Sequence, residues 1–108
     1  MKRIDINMTD KEKKTPLHLA CESGNHHIIK LLLESNADVN LMTNKGLTCL
    51  MILAKRKVQD TKLIKLLLKY HATSDIENND GMRAIDYARQ ADKKSPLIPL
   101  LHNVGPNV

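Results

Sequence analysis

The sequence predicts an all-α fold, a solenoid of helix-turn-helix units with short finger loops between them, and three observations carry that expectation. The chain of 108 residues is 42% hydrophobic but only 2% aromatic, with no Trp and no Phe. A core made without those side chains takes its apolar area from Leu and Ile, which suits helices in thin layers better than an aromatic-rich sandwich or barrel. The chain also repeats itself: Thr15-Pro16-Leu17-His18-Leu19-Ala20 aligns with Thr48-Cys49-Leu50-Met51-Ile52-Leu53 at a step of 33, then with Arg83-Ala84-Ile85-Asp86-Tyr87-Ala88 at a step of 35. Finally, each unit carries the start and stop signals of two short helices.

The elements follow in chain order. Residues 1–9 form a partial unit, because Asp5-Ile6-Asn7 echoes the Asp38-Val39-Asn40 that closes the next unit. Repeat one spans 10–42. Thr15 caps its first helix by accepting from the His18 amide, and Pro16 stands at N1, where a missing N–H costs nothing. Ala20 and Cys21 keep that helix thin, Gly24 ends it, and Asn25 caps the second helix, whose apolar face is Ile28, Ile29, Leu31, Leu32 and Leu33. Asn36 closes this helix in the left-handed conformation.

Repeat two spans 43–77. Its two extra residues fall between Ala54 and Leu63, which predicts a longer turn around Lys57, Val58 and Gln59, with Asp60 as the cap of the second helix and His71 in the place of Asn36. Residues 78–108 are a degenerate C-terminal capping repeat, in which Ser95-Pro96 starts a last helix that Pro99 is expected to break. Asn44-Lys45-Gly46 and Asn79-Asp80-Gly81 are the turn signals of the finger tips. Lys13 stands where these fingers have Gly, so a positive φ there predicts a first finger that is reshaped or loose.

The Thr-Pro-Leu-His-Leu-Ala run, Gly24, the Ile-Ile-x-Leu-Leu-Leu helix and the Ala37-Asp38-Val39-Asn40 tail resemble the ankyrin repeat, and the resemblance covers nearly the whole chain. It implies that His18 ties adjacent loops through hydrogen bonds. It also implies a binding surface on the concave side, built by the finger tips and the exposed edge of each first helix. The positions it transfers are Lys11, Glu12, Lys14, Glu22 and Ser23 in the first unit, then Asn44, Lys45, Leu47, Lys55 and Arg56 in the second. The third contributes Asn79, Asp80, Met82, Gln90 and Ala91. Lys45, Lys55 and Arg56, with Lys57 beside them, form a basic centre that steers an acidic segment, and Leu47 and Met82 are its apolar anchors.

Other chemistries are poorly served. Two cysteines without C-x-x-C spacing provide neither a disulfide framework nor a structural zinc site, and indicate a reducing, intracellular setting in cytoplasm or nucleus. A translation estimate places Cys21 and Cys49 beyond disulfide reach, as free thiols. His26 and His27 are adjacent, cannot share one metal from a helix, and are expected to be solvated. No phosphate loop, zinc-protease motif or nucleophile elbow occurs, so neither a cofactor nor catalysis is expected. The formal charge of +5 leaves nucleic-acid binding as a lesser alternative, since Tyr70 and Tyr87 are the only aromatics for base stacking. No apolar run approaches the length of a membrane span, and no obligate homo-oligomer is expected. The function that follows is a protein-interaction module, or alternatively a regulatory array excised from a larger signalling or transcription-control protein. The side of Leu17 and Leu31 that faces the partial unit is expected to be uncovered.

Overall fold

A computed structural model describes residues 5–102, which contain six helices and no strand. Helices α1 (Pro16–Ser23) and α2 (His26–Glu34) belong to the first unit, and α3 (Cys49–Lys55) and α4 (Thr61–Lys69) to the second. Helices α5 (Ala84–Ala91) and α6 (Leu97–Leu101) complete the third. The first four start where their cap residues dictate: Thr15, Asn25, Thr48 and Asp60 all accept a hydrogen bond from the amide three residues on. Gly24, Asn36 and His71 take the left-handed conformation that ends the helices before them. The turn between α3 and α4 covers residues 56–60, and Gln59 donates to the Ala54 carbonyl and accepts from Ser95, pinning this longer turn to the third unit.

The first helices lie side by side in one layer, with α3 between α1 and α5, while α2 and α4 form a second layer and α6 closes the far end against α4 and α5. This order explains why every residue from Cys49 to Ala54 is buried: α3 is covered on both flanks. The core is built from aliphatic side chains, with Leu17, Ile29, Leu50, Leu53, Leu63, Ile64, Leu67, Leu97 and Leu101 all buried. The other end of the stack is bare. Leu19, Ile28 and Leu31 keep 48%, 39% and 51% of their surface, whereas the equivalent Ile52 and Leu63 of the second unit are buried. Leu17 departs from the expectation of an uncovered side: it points into the core and is 1% exposed.

The fingers share one construction. Asp10, Thr43 and Asn78 each use a side-chain oxygen to accept from the amides two and four residues on. Each finger closes with a backbone bond from the same residue to the carbonyl four residues on. The finger at Lys13 is therefore not reshaped. Lys13 takes φ of 61° and its amide donates to Asp10, as Gly46 donates to Thr43 and Gly81 to Asn78. The strain of a side chain in that conformation, about 1–2 kcal/mol, is offset by the Asp10 carboxylate, which holds two amides of the same turn. Neighbouring fingers are joined by bonds from the Asn44 amide to Glu12 and from the Asn79 amide to Lys45.

Two further expectations change. Pro99 does not break α6: it sits in the first turn, where the missing N–H is one that no helical carbonyl would accept. Cys21 and Cys49 are both free and buried, but they are not remote from each other. The two thiols are neighbours where α1 packs on α3. That contact, together with burial, pushes the Cys49 thiol well above its usual range. A thiol reagent at neutral pH should leave the folded chain unmodified and titrate both cysteines in urea; rapid native labelling would contradict the buried placement.

Candidate functional site

His18 organises the site from below. Its Nδ1 accepts from the Thr15 amide at 3.0 Å, which leaves the proton on Nε2 for the carbonyls of Leu41 at 2.9 Å and Leu47 at 3.1 Å. One buried imidazole thus joins the start of α1 to both sides of the second finger. Burial holds it below the ordinary histidine value, so it is neutral at physiological pH. The equivalent positions are Met51 and Asp86, and Asp86 serves only its own unit by accepting from the Arg83 amide.

Above this anchor lies a groove of about 220 Å³ lined by Glu22, Leu47, Ile52, Lys55 and Arg56. Four of the predicted residues meet here. Leu47 is half-buried and supplies an apolar wall, while Lys55 lies in the last turn of α3 and Arg56 caps it, where cations complement the exposed carbonyls. The Arg56 guanidinium lies so close over Gly24 that a Cβ there would overlap it. The Lys55 ammonium stands 5.3 Å from the centre of the Tyr87 ring, a cation–π contact that bridges the second and third units. Beyond it, Lys55, Tyr87, Gln90 and Ala91 line a further notch of about 230 Å³.

The remaining predicted residues occupy the edges. Asn44, Lys45, Asn79 and Asp80 are exposed at the finger tips, where the Asn79 side chain donates to the Asn44 carbonyl and its amide to Lys45. Met82 is half-buried at the base of the third finger and lines neither recess. Lys14 is paired with Glu22 at 2.9 Å, and this bond raises its pKa, so the first unit presents a neutralised pair. Lys11 and Glu12 are exposed on the first finger, and Ser23 turns its hydroxyl onto the Ala20 carbonyl. Among the described residues, Lys45, Lys55, Arg56 and Lys57 have no carboxylate within ion-pair distance.

Two features escaped the sequence reading. Ile52 and Tyr87 line the recesses and occupy the same slot as Leu19, a coincidence visible in the alignment of the units. His26 is not simply solvated: its Nε2 meets Asp60 Oδ2 at 2.6 Å across 34 residues. Burial raises the Asp60 carboxyl, but the Leu63 amide and His26 more than reverse this and hold it below its usual value. No group of three metal-ligating side chains occurs among the described residues, and none of the described helices is long and apolar enough to cross a membrane.

A family model described as ankyrin repeats, in three copies, matches residues 1–80. Ankyrin repeat protein 14 of Vaccinia virus is 42% identical over 71 residues, which are 66% of this chain and 30% of that protein. A putative ankyrin repeat protein of Fowlpox virus is 36% identical over 104 residues, 96% of this chain and 14% of the other. Inversin of Gallus gallus is 35% identical over 76 residues, 70% of this chain and 7% of its own length. The chain thus spans less than a third of each of these relatives.

Proposed function

The chain belongs to the ankyrin repeat family, whose repeats generally mediate protein–protein interaction, and from that premise we propose that it is a non-enzymatic module that docks a partner protein on the face made by its fingers and first helices. The observation that carries this reading is the groove at Glu22, Leu47, Ile52, Lys55 and Arg56, where apolar walls adjoin two cations without a carboxylate partner among the described residues. A solenoid fixed by backbone bonds between fingers holds these side chains without ordering itself on binding, which limits the entropic cost of association. The partner presents an acidic segment. Lys45, Lys55 and Arg56 steer its approach, and Leu47 with Met82 gives buried contact. The two reduced thiols fit an intracellular setting.

The test is kinetic. A partner recovered by affinity capture should bind a Lys55→Glu, Arg56→Glu variant with association slowed by about tenfold and dissociation changed far less, because exposed charges act mainly on encounter. Unchanged association with an intact fold would overturn the reading. A second function, as a regulatory array inside a longer protein, is favoured by the lengths of the relatives, of which this chain matches only 30%, 14% and 7%.

A further inference from the structure

We propose that the occupant of this face is an acidic segment in polyproline II conformation with an apolar side chain at every third position, one for each of three notches built on Leu19, Ile52 and Tyr87. The proposal rests on the reading of this face as the partner-binding surface, and adds the conformation and register of what binds. The three residues occupy one slot of the repeat, the fourth position after each cap. Each lines a recess of similar size: about 200 Å³ at Leu19, 220 Å³ at Ile52 and 230 Å³ at Tyr87. An apolar cavity of about 150 Å³ admits benzene, so each has room for one aliphatic side chain.

Spacing selects the conformation. Adjacent packed helices stand ~8–10 Å apart, so the notches recur at about that interval. A polyproline II chain rises ~3.1 Å per residue with three residues per turn, returning a side chain to the same face every ~9.3 Å. A β-strand returns one every second residue, at ~6.6 Å or ~13 Å, and misses the interval. Strand addition is also closed off at the finger edge, because the Asn44 and Asn79 amides already serve Glu12 and Lys45. An α-helix returns after seven residues at ~10.5 Å. Its intermediate side chains would press on the ridges between notches, formed by the Lys14–Glu22 pair and by Lys55 over Tyr87. Polar residues between the anchors of a polyproline II segment pass over those ridges instead. Lys55, Arg56 and Lys45, none of them paired with a carboxylate among the described residues, make acidic residues the favoured ones there.

The probe is a labelled heptapeptide, Leu-Glu-Pro-Leu-Glu-Pro-Leu, titrated by fluorescence anisotropy beside a peptide of identical composition with Leu at alternate positions. A stapled helical peptide with acidic residues and Leu at every seventh position is the third arm. The first peptide is expected to bind about tenfold tighter than the permuted one, since misregister leaves Leu side chains unburied. Leu19→Ser, at a position 48% exposed, should weaken it about fivefold without changing the melting temperature. Equal binding of the two linear peptides, tighter binding of the stapled helix, indifference to Leu19→Ser or no binding at all each overturns the proposal. If captured partner still depends on Lys55 and Arg56 in any of those cases, only the register and conformation fail. If neither peptide nor partner responds to the charge reversal, the face itself is misassigned.

Discussion

His18→Ala is expected to destabilise the fold by about 3 kcal/mol, lowering the melting temperature by roughly 10–20 °C. The imidazole is fully buried and serves Thr15, Leu41 and Leu47, so its removal strands the Thr15 amide and the Leu41 carbonyl, leaves the Leu47 carbonyl with the Thr43 amide alone, and opens a void at the junction of α1 and the second finger. An Asn at the same position recovers part of the loss, since its side chain both accepts and donates. The histidine also sets a pH dependence. Its folded pKa lies below 6.5, so the stability it contributes is complete above that value and declines as pH falls toward the folded pKa, where the native imidazole protonates too. Urea melts at pH 7.5 and 5.5 should show a loss on acidification that is reduced in His18→Asn. An unchanged melting temperature in His18→Ala would mean that the loops hold together without it.

Gly24→Ala is expected to cost about 1–2 kcal/mol, chiefly as backbone strain, because the residue has φ of 71°. An added Cβ would also overlap the Arg56 guanidinium, the far end of a flexible side chain that can swing aside at small cost. A double-mutant cycle measures this: in an Arg56→Ala background the substitution should cost nearly the same, with a coupling below about 0.5 kcal/mol. A much smaller cost there would show that Arg56 is held rigidly on Gly24. The same cycle bears on binding, because a displaced Arg56 shifts one of the two cations of the groove while its charge is unchanged.

The helices were legible in the sequence because their determinants are local. Thr15 before Pro16, Asn25 after Gly24 and Asp60 before an apolar periodic run fix where helices start, and the step from 33 to 35 correctly places the longer turn at residues 56–60. The four residues of the groove were legible as positions, from the resemblance, but their relations were not. That Lys14 is neutralised by Glu22, that Arg56 lies over Gly24 and that Lys55 stands over Tyr87 depend on long side chains reaching between units, and no spacing rule specifies those rotamers. The thiol contact was not legible because a translation between equivalent positions fixes neither the direction of a side chain nor how α1 seats on α3. The first finger was misjudged because the cost of Lys13 was counted without the two amides that Asp10 gathers.

The two flanks of the described residues differ in character. One is apolar, with Leu19, Ile28 and Leu31 bare, while the other is closed by α6 and bears Arg83, Asp86 and Arg89 around a cavity of about 290 Å³. A head-to-tail contact needs two complementary surfaces, and the apolar flank has no counterpart on the charged one. The array therefore has a direction: a surface that packs well on Leu31 is a poor match for the flank at α6.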